Sequence, residues 1–450
     1  MAGPAGRGAA DRAGRRQVAA GVLGQRRPGP AARDRIQPSE RDADVAVVRQ
    51  QVEPARGTAP VVIGVRGWEC LDSRGNPTVG CVVYLEGGVE GVALAPAGAS
   101  TGRFERPALH DGGARYAGFG ARAALHVLDD RVAPALVGRP ATDVDGLLDG
   151  PSNVTVAVSL AAARARAAHA GLPLWQYLAG PTGHRPTLPC PMVNIFSGGR
   201  HAEGGGVVQD YLAVPLAATS FAEAIEQVWD VRRNAAALVE QRAGRLAAVL
   251  VADEGGLALS GGDDELPLQL LTDAIERTGH SMRIAIDVAA TQVEKPAALL
   301  DEVVAWCDRY PVVSIEDPLS DDDWDGWVDA TRRLAGRQVV GDDLFATSAE
   351  RVRRGADTGA GNAVLVKPNQ VGTLSGAAET LALARSLGMR TIVSARSGDT
   401  EDDAIADLAV GWAAGQIKVG SVTRSERLAK YNRLLRLEEI DRIPYAGWDA

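Results

Sequence analysis

The sequence predicts an α/β protein: a (β/α)8 barrel preceded by a smaller α+β cap. Two observations predict the barrel. Four apolar, β-branched runs between Arg283 and Lys367 each end in a charged residue: Asp287, Glu316, Asp342 and Lys367. Those ends lie 29, 26 and 25 residues apart, about the length of a buried strand, a loop, an amphipathic helix and a return loop. A third observation predicts the cap. Before about residue 180 the order changes to strand-like runs followed by helical ones, which suits a separate α+β layer.

Parallel strands point the same way, so their C-terminal residues share one face, and in a barrel that face carries the active site. Three carboxylates gathered there repel one another unless a cation sits among them. Oxygen-only ligands favour a hard ion, so Mg²⁺ is the expected cofactor. An acid after a strand is often only the N-cap of the next helix. Three in register, followed by a lysine in register, make a site the better reading.

Composition narrows the classes. The 450 residues carry a net charge of −9 with 4% aromatics, which argues against a nucleic-acid surface. Cys70, Cys81, Cys190 and Cys307 are scattered, with no Cys-x-x-Cys, so free thiols in a reducing cytoplasm are expected rather than disulfides or zinc. No apolar run reaches transmembrane length, so no membrane partner is expected.

In chain order, residues 1–60 are rich in Ala, Gly, Pro and Arg, with eleven Arg, six acids, no Lys and no aromatic residue. Such a segment cannot bury enough apolar surface to order itself, and a disordered tail is expected. Residues 61–180 form the cap. Its runs Val61 to Val65, Val79 to Leu85 and Val89 to Leu94 read as strands, with Gly87-Gly88 as a hairpin turn. The stretches Ala121 to Leu136 and Val154 to Ala170 read as helices. Two small polar loops, 72–78 and 96–102, lie among the strands; the second can bend over a ligand as a lid. Residues 187–445 form the barrel. Glu254 follows the apolar run Leu246 to Val251, and beyond Lys367 two more strand ends carry Arg396 and Lys418. Three cations facing three acids suit an anionic ligand held against a metal. A last helix, Arg424 to Glu439, closes the barrel.

From about Val61 to Tyr445 the chain resembles the enolase family. The resemblance rests on Leu71-Asp-Ser-Arg-Gly-Asn-Pro-Thr78, Gly98-Ala-Ser-Thr-Gly102, Asp253-Glu-Gly-Gly256, Ser314-Ile-Glu-Asp317, Gly341-Asp-Asp-Leu344, Lys367 with Asn369-Gln370, and Gln416-Ile-Lys418. It implies Mg²⁺ bound by Asp287, Glu316 and Asp342, with Ser100 reaching a second ion. It implies Lys367 as the base that removes a proton next to a carboxylate, its pKa lowered by Mg²⁺ and Lys418. Glu254 and Asp210 would act at the leaving group. His201, Gln209, Arg396, Ser397, Lys418 and Arg200 would contact a phosphorylated three-carbon acid. A dimer or larger homo-oligomer is expected.

The chain departs from that family at one corner. The family's Ser-His-Arg is Ser394-Ala395-Arg396 here, its Gln-Glu is Gln209-Asp210, and Ala97, Phe104 and Arg200 also differ. Losing an imidazole and a methylene predicts a wider leaving-group corner, and Arg200 a more positive one. That pattern resembles the carboxyphosphonoenolpyruvate synthases of phosphinate antibiotic (phosphinothricin-type) biosynthesis. In those enzymes a phosphonoformyl group from CMP-phosphonoformate joins 3-phosphoglycerate and phosphate leaves. The alternatives are ordinary phosphopyruvate hydratase activity, from 2-phosphoglycerate to phosphoenolpyruvate, and a non-catalytic binding protein on the same frame.

Overall fold

The computed structural model describes residues 59–98 and 102–448. All but the last two residues of the expected tail, and Ser100 in the lid, lie outside the described residues. No helix among the described residues is long and apolar enough to cross a membrane.

The cap opens with an antiparallel meander of β1 (Val62–Leu71), β2 (Pro77–Leu85) and β3 (Val89–Leu94). Gly87 and Gly88 both take left-handed φ, +88° and +77°, as a tight hairpin turn requires. The cap helix Ser152–His169 is buried around most of its circumference. One side packs on β2 and β3, and Ser159 Oγ on another accepts the Leu374 amide of a barrel helix (2.9 Å). Its run of alanines follows from that double packing. Contact is so close that a Cβ at Gly91 would lie 2.1 Å from the Ala161 carbonyl oxygen.

The expected single helix over Ala121 to Leu136 is broken. A five-residue π turn, Leu128–Val132, separates Arg122–Val127 from Ala133–Leu136. The wide turn keeps Leu128, Val132 and Leu136 together on the buried side.

The barrel consists of β4 (Cys190–Ser197), β5 (Asp210–Val214), β7 (Arg283–Asp287), β8 (Val312–Glu316), β9 (Gln338–Gly341), β10 (Ala363–Val366), β11 (Arg390–Ser394) and β12 (Gln416–Gly420), closed by β12 pairing with β4. The two-residue β6 (Leu257–Ala258) hangs on the end of β4. The run Leu246 to Val251 is not a strand: Arg245–Val249 is a short helix, with Leu246 and Val249 exposed.

Strict βα alternation fails at one place. β5 runs antiparallel to both neighbours because β4 and β5 form a hairpin-like pair rather than a crossover. The first residue of β5 therefore sits at the same rim as the last residues of the parallel strands. Asp210 pairs with Ser197 on β4 and with Asp287 on β7.

Inside the barrel, Cys190, Met192, Leu212, Ala285, Val340, Leu365 and Ile392 fill one apolar layer. Above it Gln338 and Gln416 exchange amide hydrogen bonds at 3.0 Å each, and Gln338 also donates to Ser314 Oγ (3.0 Å). Those polar groups satisfy one another, so their burial carries little penalty. Outer helices start on side-chain caps: Ser220, Ser348 and Thr373 each accept an amide from the first turn.

Candidate active site at the C-terminal rim of the barrel

The rim gathers the charges that the strand spacing placed there. Asp287 ends β7, Glu316 ends β8, and Asp342 and Lys367 directly follow β9 and β10. Lys418, inside β12, points into the same space. Its Nζ donates to Asp287 Oδ2 at 2.7 Å and to Glu316 Oε2 at 2.8 Å. Lys367 Nζ donates to Asp342, whose other oxygen accepts from Gln370 Nε2 (2.9 Å). Gln209 Nε2 donates to Asp287 (3.1 Å).

A cavity of about 30 Å³ lies among these groups, lined by Glu105, His201, Gln209, Glu254, Asp287, Asp342, Asp343, Lys367, Ala395, Arg396, Ser397 and Lys418. That volume suits a water or two, not a phosphorylated acid. The wide corner expected from Ala395 and Asp210 is thus not open. The charges have closed on one another. Arg396, after β11, donates to Glu105 at 2.7 Å and 3.3 Å, and both side chains are 5% exposed.

Three of the expected site residues among those described, Glu316 behind the Lys418 ammonium, Asp210 and Arg200, do not line the cavity. Asp210 is fully buried behind it: one oxygen accepts from Asn194 Nδ2 and Ser197 Oγ, the other faces His201 Nδ1 at 2.9 Å. A shortened carboxylate held on both oxygens does not reach the cavity. Arg200 is exposed in a neighbouring cleft of about 420 Å³ with Gly102, Arg103, Thr291, Asp321 and Asp343. It adds no charge to the leaving-group corner. Phe104, which replaces a polar family position, lies at the surface under the Arg351 guanidinium, 3.6 Å from the ring centre.

Several residues matter here that the sequence did not single out. Glu105 is one. Asp317 is another: it takes a left-handed φ of +42°, uncommon for a residue with a side chain. Its carboxylate accepts the backbone amides of Asp342 (3.0 Å) and Asp343 (2.8 Å), and so fixes the turn after β9. Arg427, from the last helix (Ser425–Glu439), donates to the carbonyls of Arg396 and Val419 at 2.7 and 3.0 Å. Asp317 and Asp343 each adjoin a predicted acid inside a stretch that carries the family resemblance, without a role of their own there. Glu105 and Arg427 look like ordinary surface charges.

Electrostatics follow from burial among like charges. Burial, then Asp287, pushes Glu316 up to about 8. Burial, then Asp342, raises Asp343 to about 7. Burial opposes the charge of Lys367, yet Asp342 outweighs it and holds the ammonium above its ordinary range. The lowered Lys367 pKa expected from the sequence is therefore not found in this arrangement. It requires Asp342 to be drawn away from the lysine toward a metal.

The donor set suits Mg²⁺. Asp287, Glu316 and Asp342 offer only oxygen. Asp287 and Glu316 share an ammonium between them, which is the charge a buried acidic pair demands. The oxygens of Asp317, Asp342 and Asp343 converge within 4.8 Å of one another, as do the ligand atoms of His201, Asp210 and Glu254. A hard divalent cation fits the rim, with Lys418 standing where part of its charge would act.

The family models for the enolase N-terminal domain and the enolase C-terminal TIM barrel domain match residues 62–178 and residues 185–298 and 291–450, respectively. The chain belongs to the enolase family. An enolase from Mycobacteroides abscessus is 43% identical over 421 residues, covering 86% of this chain and 97% of that protein. Membership in the enolase family agrees with an N-terminal cap followed by a barrel.

Proposed function

We propose that the chain is a Mg²⁺-dependent lyase that takes the C2 proton from a phosphorylated three-carbon acid and expels the group on C3, turning 2-phosphoglycerate into phosphoenolpyruvate. The observation that carries this reading is the pairing of Lys367 with Asp342 across the rim from Lys418 on Asp287 and Glu316. A base and a counter-cation face each other over acids that call for a metal. The 43% identity to a protein named enolase supports the same reading.

In this mechanism Asp287, Glu316 and Asp342 would hold Mg²⁺. The ion would supply positive charge where the carboxylate becomes an enediolate. Lys367, freed from Asp342 and neutral, takes the C2 proton. Arg396 and Ser397 hold the phosphate once Glu105 gives way. Lys418 takes up negative charge at the carboxylate. His201 and Glu254 face C3.

A second reading rests on one observation: Ala395 lines the cavity and Asp210 is withdrawn from it, so that corner holds no second imidazole and Glu254 is its remaining carboxylate. Phosphonoformyl transfer from CMP-phosphonoformate to 3-phosphoglycerate, with loss of phosphate, would use the same base and metal. Phosphorus NMR of the purified protein with Mg²⁺ separates the two. Phosphoenolpyruvate formed from 2-phosphoglycerate is expected. No turnover of it, with a new phosphonate product from the other pair, would replace the first reading by the second.

A further inference from the structure

We propose that Arg427, seconded by Lys430 one turn further on, is a positioning residue for the phosphate half of the site: from inside the last helix it holds the segment that presents Arg396 and Ser397 to the ligand. The ligand rests on the lyase reading above; the hold on the segment is a property of the fold.

Residues 396–400 lie past the sheet. The parallel ladder between β11 and β12 ends with Ser394 opposite Lys418, and the Ala395 amide still reaches the Lys418 carbonyl at 2.9 Å. The next two carbonyls are met by Arg427. Its Nη1 donates to the Arg396 carbonyl at 2.7 Å and to the Val419 carbonyl at 3.0 Å, and its Nη2 donates to the Ser397 carbonyl at 2.5 Å. One planar guanidinium thus ties the loop after β11 to the end of β12, a fork that the single ammonium of a lysine does not copy. Lys430 holds the far end of the segment. Its Nζ donates to the Thr400 carbonyl at 2.5 Å and faces Asp399 Oδ1 at 3.3 Å.

Both cations are fully buried. Burying a cation is costly, and main-chain carbonyls compensate only in part. Glu426 Oε1 lies 3.5 Å from Arg427 Nε, and Arg424 draws on the same oxygen at 2.9 Å. An apolar side chain would pack this helix face at less cost, so the guanidinium is there for the carbonyls it orders. Gly420, at φ +108°, leaves the room: a Cβ there would lie 3.0 Å from Arg427 Cδ.

The direction of the hold sets what faces the ligand. In a trans peptide the carbonyl and the following amide point opposite ways. Drawing the Ser397 carbonyl to the helix therefore turns the Gly398 amide toward the cap, where it meets the Ala97 carbonyl at 2.8 Å, and Ala97 returns its own amide to the Gly398 carbonyl at 2.6 Å. The segment is fixed from both sides. Arg396 and Ser397 line the cavity, while Arg427 stays behind them.

The test uses full-length protein and compares Arg427→Lys, Arg427→Gln and Lys430→Gln. Calorimetric titration with inorganic phosphate in the presence of Mg²⁺, titration with Mg²⁺ alone, and KM and kcat on 2-phosphoglycerate are the readouts. Both Arg427 variants should bind phosphate about tenfold more weakly and raise KM by a similar factor, with kcat little changed and Mg²⁺ affinity kept. Lys430→Gln should show the same split at smaller size. Lysine keeps the charge, so wild-type phosphate affinity in Arg427→Lys would assign the effect to charge and overturn the proposal. Equal losses of phosphate and Mg²⁺ affinity, the mark of a generally loosened rim, would overturn it too. If neither Arg427 variant folds, Lys430→Gln decides, and unchanged phosphate affinity there overturns the proposal. Wild-type protein that binds no phosphate would also overturn it. Wild-type protein that binds phosphate through this segment but does not turn over 2-phosphoglycerate would instead remove the lyase reading and leave the positioning role standing.

Discussion

The guanidinium of Arg396 is bonded through both terminal nitrogens to the carboxylate of Glu105. A cation suited to a substrate phosphate is thus matched by an anion of the same chain, carried by the segment that follows the lid. Gly102 N–H (3.0 Å) and Gln370 Nε2 (3.4 Å) hold the same carboxylate in place. An anionic ligand must displace it to reach Arg396.

Neutralising Glu105 should therefore favour anions. Glu105→Gln is expected to bind inorganic phosphate about tenfold more tightly than the wild type, roughly 1.4 kcal/mol. Without phosphate the variant should melt earlier, because Arg396 is left a buried, weakly compensated charge. Calorimetric titration and thermal unfolding with and without phosphate check both effects. Equal phosphate affinity in the two proteins would show that Glu105 does not compete for the site.

Asp317 fixes the turn that carries Asp342, a proposed metal ligand, and does not line the cavity itself. Its two oxygens accept the amides of Asp342 and Asp343. Asp317→Asn keeps a side chain that tolerates the left-handed backbone but loses one of the two acceptors. Mg²⁺ affinity should fall about 10- to 100-fold, the usual cost of disturbing a ligand's support. The Mg²⁺ dependence of turnover measures it.

Burial raises Glu316 to about 8 and Asp343 to about 7, against about 4.5 and 4 in the unfolded chain. Between those limits the folded protein binds more protons than the unfolded one, so stability falls as pH rises. His201, held near 9, acts in the same direction from about 6.5 upward. Metal-free protein should melt at a lower temperature at pH 8 than at pH 5.5. Mg²⁺ should stabilise it most at the higher pH, because its ligands must be deprotonated. Differential scanning calorimetry at the two pH values, with and without Mg²⁺, is the measurement.

Much of this site was legible in the sequence. Strand-end charges at near-equal steps placed Asp287, Glu316, Asp342 and Lys367 on one rim, because parallel strands leave no choice of face. The roles of Asp210 and Arg200 were not legible. Asp210 precedes an apolar run just as well as it could follow one, and only the reversed β5 shows that it opens a strand. Whether a carboxylate faces the cavity or the imidazole behind it depends on Asn194 and Ser197, sixteen and thirteen residues earlier. Arg200 follows two glycines in a loop, where local sequence does not set a direction. Glu105 sits in Phe-Glu-Arg-Pro, which reads as a surface stretch until the cap is laid on the barrel. The helix expected across residues 121 to 136 failed for a similar reason: burial of Leu128, Val132 and Leu136 against the cap sheet is a tertiary demand.

Lys367 is the proposed base of an enolising, metal-assisted rim. The most direct measurement of that role is C2 proton exchange of 2-phosphoglycerate in deuterium oxide with Mg²⁺, followed by proton NMR for the wild type and Lys367→Ala. Wild-type protein should wash deuterium into C2 or turn the substrate over with release of that proton, and Lys367→Ala should do neither. Exchange or turnover that survives in Lys367→Ala at the wild-type rate would contradict the account.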